Sequence, residues 1–279
     1  MKTVVILSVS SDIGLYMAKQ YLAQGYRVIG TYRTKKHIMP LLDQKNCILF
    51  PCDFANPNDV TKFASAIKQR KIVWDVFISC TGYLLPALPF FECNIDQWIE
   101  SVHINGLEQL RTLHALYPYR NKKTISDVVY FAGSGANSAV KNITAYAISK
   151  IILMKMCEYL DAENEDLNVF IVGPGWTKTK IHQQLLQGQG RVAKEKIEQT
   201  KAQIASHQTA SLEEVFECIE WLRQEGKSLA GGRNFSVVYD PWRGRTRPSL
   251  MKALRTDPQM YKLRRHKNSF MQPEIKEHP

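Results

Sequence analysis

Tyr146 and Lys150 stand four residues apart in ITAYAISKIILMKM (143–156), a run with apolar residues at helical spacing and no Gly or Pro. That spacing puts both side chains on one helix face, one turn apart. A tyrosine hydroxyl ordinarily titrates near pKa ~10. A neighbouring ammonium favours the phenolate and lowers that value. Such a phenol can pass a proton to or from an alcohol oxygen near neutral pH. The same spacing also arises by chance in many helices, so its meaning rests on the elements around it.

A second chemical signal lies at the start of the chain. The apolar run TVVILSV reads as a buried strand, passes through SVSSDIG, and enters the amphipathic helix LYMAKQYLAQG. A strand–turn–helix of this kind seats a pyrophosphate on the helix N-terminus. As a glycine fingerprint the turn is poor, with Gly14 alone where three glycines are usual. The small side chains Ser8, Ser10 and Ser11 let phosphates approach and offer hydroxyls. Asp12 is awkward beside an anion and is expected to cap the helix instead. At the end of the second strand, GTYRTKK puts Tyr32 where an acidic residue would hold a ribose 2′-OH, and Arg33 follows. Arg33 suits a 2′-phosphate, which favours NADPH over NADH.

These residues need a scaffold, and the chain alternates strand and helix to supply it. Strands are expected at TVVILSV, YRVIGTYR, NCILFPCD, WDVFISCTG, DVVYFAG, LNVFIVGPG and NFSVVYD. Between them lie NPNDVTKFASAIKQR, NIDQWIESVHINGLEQLRTLHALYPY, the Tyr146 helix, and SLEEVFECIEWLRQEG with a Ser-x-x-Glu capping box. The pattern predicts an α/β fold: a doubly wound parallel sheet in three layers, the Rossmann arrangement. Residues 1–240 are read as this domain. Residues 177–208, polar and helical, are read as an insertion at the strand carboxyl ends and a substrate lid. Residues 241–279 are read as a basic C-terminal extension.

Of the 279 residues, 44% are hydrophobic and 23% charged, an ordinary globular balance. No apolar run approaches the ~20 residues of a membrane span, and the opening has no secretory pattern. The six cysteines are scattered without zinc-ligand spacing, as expected of free thiols in a reducing cytoplasm. Metal chemistry is not expected. The formal net charge is +11, and ten Lys/Arg against two Asp fall between Arg233 and Lys267. An anionic small molecule is favoured over nucleic acid as the partner, because no nucleic-acid motif is present.

Together these pieces resemble the short-chain dehydrogenase/reductase family over roughly residues 1–240. SVSSDIG, including Ile13, looks like its phosphate-binding turn with two glycines replaced. CDF, with Asp53 and Phe54, is similar to its adenine-contacting segment. Cys80, Thr81 and Gly82 fall where the family has its NNAG segment, and Asn105 matches its helix asparagine. YAISK matches its Tyr-x-x-x-Lys motif. GPGWTKT resembles its PG motif, which adds Pro174, Gly175, Trp176, Thr177 and Thr179 to the cofactor contacts. The family's catalytic serine lies about a dozen residues before the tyrosine. FAGSGANS offers Ser134 at twelve and Ser138 at eight, and Ser134 is preferred because it directly follows the strand. The setting AGSG departs from the usual tandem serine. The Gly-rich turn and the tail YDPWRG…RTDPQMYKLRR also resemble a bacterial subgroup that often accompanies genes for surface polysaccharides.

The resemblance implies hydride transfer between NADPH and a substrate carbonyl. Tyr146 is the implied proton donor, and Lys150 lowers the tyrosine pKa and binds the nicotinamide ribose. Ser134 bonds the carbonyl oxygen, and Asn105 holds a water on a proton path from Lys150. The lid (Trp176, Lys178, Lys180, His182, Gln183) and the tail (Arg233, Arg243, Arg245, Arg247) suggest an anionic substrate such as a sugar phosphate or nucleotide-linked sugar. The resemblance also implies a homodimer or homotetramer. The main alternative is a dinucleotide-binding sensor of the same fold that has lost its chemistry.

Overall fold

The computed structural model describes residues 1–135, 138–175 and 209–265. The first apolar run becomes strand β1 (Thr3–Leu7), which is buried along its whole length. It pairs in parallel on both sides, with β2 (Arg27–Tyr32) and β4 (Val76–Ser79), in registers Val5↔Ile29 and Val5↔Phe77. A strand enclosed in this way needs apolar side chains on both faces, which is why its sequence is continuously apolar rather than alternating. With β3 (Cys47–Pro51), β5 (Ser126–Phe131), β6 (Leu167–Gly173) and β7 (Asn234–Ser236), the described residues form one seven-stranded parallel sheet. Its order is β3-β2-β1-β4-β5-β6-β7.

Successive strand residues point to opposite faces, and each face has its own core. Val4 and Ile6 pack with Met17 and Tyr21 of α1 (Asp12–Ala23) and with Val215, Ile219 and Leu222 of α6 (Leu212–Glu225). Val5 and Leu7 pack with Phe63 of α2 (Pro57–Gln69), Leu113 of α4 (Glu108–Leu116), and Leu153 and Cys157 of α5 (Thr144–Glu163). The result is a helix–sheet–helix sandwich, wound in both directions from β1. The strand order reverses between β1 and β4, and at that switch point the carboxyl ends of the strands leave a crevice.

Local signals fix the helix starts. Asn56 caps α2 by accepting from the Asn58 N–H at 3.1 Å, with Pro57 at the first helical position. Ser211 and Glu214 form the reciprocal capping box on α6, at 3.1 and 2.8 Å. The stretch expected as one long helix after β4 is divided. Helix α3 (Ile95–Val102) runs into a π turn (His103–Leu107), in which the Glu108 N–H reaches the His103 carbonyl, and then into α4. Wide turns of this type cluster at functional positions, and this one holds Asn105.

The described part of the basic C-terminal stretch, to residue 265, packs on the core. Trp242 stacks on Trp221 at 6.2 Å, and its indole donates to the Val237 carbonyl at 2.8 Å. Leu250 and Leu254 of α8 (Arg247–Thr256) are buried in the same core as β1. Several cations of the block have acidic partners inside the chain: Arg243 pairs with Glu214, Arg255 with Glu225, and Arg264 with Glu158. Arg233 was expected among the substrate contacts and is not available for that role. It is 5% exposed, and its guanidinium donates to the carbonyls of Leu229 (2.5 Å), Leu254 (2.6 Å) and Asp257 (3.2 Å). It thereby ties the end of α8 to α7 (Lys227–Ala230). Replacing Arg233 by Met leaves those carbonyls without their donor. Urea unfolding should show a loss of about 3 kcal/mol; a change below about 0.5 kcal/mol would contradict the structural role.

Candidate active site

The chain leaves β1 through a left-handed residue, Ser8, at φ 59°. Outside glycine that conformation costs roughly 1–2 kcal/mol. Two hydrogen bonds offset it. The Ser8 N–H donates to Thr31 Oγ1 at 3.0 Å, and its hydroxyl pairs with that of Thr81 at 3.0 Å. Gly14 is a different matter. A side-chain carbon there would lie 2.4 Å from the Ser8 carbonyl oxygen and 2.9 Å from Val9 Cα. The retained glycine is therefore the one that main-chain contact demands, while the replaced first glycine has a hydroxyl network in its stead. The cap of α1 is Ser11, whose Oγ accepts from the Gly14 N–H at 3.0 Å. Asp12 was expected as the cap. It is instead the first helical residue, where its charge still suits the helix dipole.

Thr81 links this turn to the Tyr146 helix. It follows β4, and its carbonyl accepts a hydrogen bond from Lys150 Nζ at 3.2 Å. Lys150 is 2% exposed, and its nitrogen lies 5.6 Å from the centre of the Tyr146 ring. A continuous polar line thus runs across the strand ends: Tyr146 and Lys150 on α5, Thr81 after β4, Ser8 after β1, and Thr31 on β2. Cys80, beside Thr81, is buried, and its N–H extends the ladder to the Leu7 carbonyl at 3.1 Å.

Burial sets the electrostatics of the pair. It lowers the Lys150 pKa from 10.5 to about 8. It raises that of Tyr146 to about 12. The Tyr146 pKa thus stands above its ordinary value in this structure, where a lowered one was expected, because burial strips the phenolate of solvation.

Asn105 is fully buried on the π turn. Its amide clasps the main chain of Tyr83, accepting from the N–H at 2.7 Å and donating to the carbonyl at 2.5 Å, and it also donates to the Ser101 carbonyl at 2.9 Å. The side chain fixes the segment just beyond Thr81, and so steadies the acceptor of Lys150. Gln109, one turn on, bridges the Asn105 carbonyl (2.5 Å) and the Ser79 hydroxyl (2.6 Å). The sequence reading missed Tyr83, Ser101 and Gln109. The i, i+4 spacing of Asn105 and Gln109 was their one visible trace.

The remaining expected residues lie along the same edge. Arg33 is exposed just past β2. Asp53 follows β3, and its carboxylate accepts from the Ala55 N–H at 3.1 Å; Phe54 beside it is buried. Ser134 is exposed on the turn after β5. Pro174 and Gly175 follow β6, Gly175 at φ +69° with Val238 against it. Trp176, Thr177, Thr179 and the 177–208 segment lie outside the described residues.

A dinucleotide fits this edge. The N-terminus of α1 faces the switch point, hydroxyl side chains line the turn, and Arg33 and Asp53 close the ends of β2 and β3. Residues 8–238 match the family described as Enoyl-(Acyl carrier protein) reductase. The chain belongs to the short-chain dehydrogenase/reductase family. It is similar to a Drosophila melanogaster dehydrogenase/reductase SDR family protein 7-like, 24% identical over 249 residues, which are 85% of this chain and 75% of the relative. Its fold is that of a Saccharomyces cerevisiae short chain dehydrogenase/reductase (TM-score 0.76, 18% identity, 86% and 97% of the two chains). It is also that of a short chain dehydrogenase from Shigella flexneri complexed with NADP (0.70, 19%, 85% and 96%). The short-chain fold binds a nicotinamide dinucleotide. No helix among the described residues is long and apolar enough to cross a membrane.

Burial of Lys150 has a measurable sign. Between pH 8 and 10.5 the folded chain has released this proton and the unfolded chain has not. The group's penalty is therefore full below pH 8 and fades as pH rises. Lys150→Met should be more stable than wild type at pH 7. The gap should narrow by about 1.4 kcal/mol per pH unit from pH 8 to 10 in urea titrations. Parallel stability curves would contradict the assignment.

Proposed function

We propose that the chain is an NADPH-dependent reductase of a carbonyl on a small anionic substrate of sugar type, a sugar phosphate or nucleotide-linked sugar. The observation that carries the reading is the buried Lys150, held by Thr81 at the crest of the sheet with the Tyr146 phenol alongside. NADPH, when bound, supplies the hydride to the carbonyl carbon.

The chain's own residues manage the proton and the charge. With its pKa at about 12, the Tyr146 hydroxyl is protonated at neutral pH, as a donor to a developing alkoxide must be. Lys150, with a pKa of about 8, is a cation there. It stabilises the phenolate that donation leaves behind, in a setting where burial strengthens that attraction. Ser134 hydrogen-bonds the carbonyl oxygen. Asn105 and Gln109 hold the Thr81 segment and so the position of the ammonium. Arg33 takes the 2′-phosphate of the cofactor, which gives the preference for NADPH.

The substrate half of the reading rests on positive charge beside the crevice. Helix α6 returns antiparallel to the strands, so its first turn lies at their carboxyl ends. Arg243 is anchored there to Glu214, and the exposed Arg245 and Arg247 follow. With Arg233 buried, these three are what remains of the four tail arginines expected to meet an anion. The lid over 177–208 belongs to the same reading on the sequence pattern, and a homo-oligomeric state and a role in polysaccharide assembly belong to it on resemblance alone.

The test is NADPH oxidation over a panel of sugar phosphates, nucleotide-linked keto sugars and neutral ketones, with NADH in parallel. Turnover is expected with anionic carbonyl compounds and NADPH. Tyr146→Phe should lower kcat about 1000-fold or more with NADPH affinity within about threefold. Full activity in that variant would remove Tyr146 from the mechanism. NADPH binding without turnover on any carbonyl would favour the sensor alternative.

A further inference from the structure

Both glycines of the Gly133–Ser134–Gly135 turn face helix α5, and they are glycine for different reasons. Gly135 has φ +104°, where an L side chain is strained, and a carbon on it would also meet Ala147 Cβ at 2.7 Å. Gly133 carries no left-handed angle. Its backbone would accept an ordinary residue. What excludes one is Tyr146. A side-chain carbon at position 133 would lie 2.4 Å from Tyr146 Cε1, 2.6 Å from its hydroxyl oxygen and 2.7 Å from Cζ. Relaxed carbon contacts fall near 3.5–4.0 Å. The phenol therefore occupies the volume that any other residue at 133 would fill.

We infer that Gly133 is a positioning residue for the reaction, its missing side chain forming the seat that holds the Tyr146 hydroxyl against the end of β5. This rests on the proposed role of Tyr146 as proton donor. The seat has two walls. The main chain of Gly133 closes the strand side, and Lys150 stands on the helix side, its nitrogen 5.6 Å from the ring. The phenol is thereby fixed by shape, since burial alone does not orient it. The inference also accounts for the departure of AGSG from a tandem serine. A side chain directly after Ala132 would collide with the phenol in this position, so the first hydroxyl available on the turn is that of Ser134, one residue farther out and exposed.

The test is Gly133→Ala in two backgrounds. Beside Tyr146 the added methyl has to displace the ring, so the melting temperature should fall by about 3–8 °C. In a Tyr146→Ala background the same substitution should change it by less than about 1 °C, because the obstructing ring is gone. An equal loss in both backgrounds would overturn the seat, with or without enzymatic activity. Where wild type turns over, Gly133→Ala should lower kcat about 100-fold or more, with NADPH affinity and substrate KM within about threefold, as a misplaced reacting group does. Unchanged kcat would overturn the positioning role. If wild type shows no nicotinamide-dependent turnover, the proposed function fails, and the two-background comparison alone decides whether the seat exists. If Gly133→Ala does not fold, the Gly133→Ala/Tyr146→Ala double variant should still fold; failure of both would count against the inference.

Discussion

An ammonium buried to 2% exposure is the constraint around which the carboxyl edge of this sheet is arranged. Charge taken out of water has to be met by fixed dipoles or lost as a proton. Among the described residues Lys150 meets it with the carbonyl of Thr81, and with a lowered pKa. Everything near that carbonyl serves to hold it. The β1–β4 ladder continues through Cys80, the Ser8 hydroxyl pairs with that of Thr81, and Asn105 clasps Tyr83 two residues on. A hydrogen bond from a buried cation is worth roughly twice a neutral one. Loss of any of these supports would therefore be felt at the Lys150–Thr81 contact.

The same edge explains why this fold can dispense with the first glycine of its phosphate turn. The first position needs a left-handed residue, and Ser8 holds that conformation with bonds to Thr31 and Thr81. The position of Gly14 needs the absence of a side chain, because main-chain atoms already stand there. The first need is energetic and can be offset elsewhere. The second is steric and has no substitute. Gly133 is steric in the same sense, with a tyrosine ring in place of main chain.

Much of the architecture was legible in the sequence. Parallel strands buried on both faces read as unbroken apolar runs, and caps such as Asn56–Pro57 and Ser211–Glu214 mark helix starts through local chemistry. Tyr146 and Lys150 were legible because helical spacing decides which side chains are neighbours. The sign of the tyrosine pKa was not, since it depends on how deeply α5 packs, and spacing does not report depth. Arg233 was misplaced for a related reason: a charge count registers a cation and is blind to the three carbonyls that enclose it. The π turn at Asn105 goes with bonds to Tyr83, 22 residues earlier, which no helical pattern registers. Gly133 shows only as an oddity of AGSG until the ring that excludes its side chain is seen.

Lys150 is a buried, easily deprotonated cation, and the arrangement of the whole edge turns on that. Proton-detected or carbon-detected NMR of ε-13C-lysine follows it directly, with Lys150→Met to assign the resonance. That one signal should titrate with a midpoint near pH 8. A midpoint above 10, that of an ordinary solvated lysine, would contradict it.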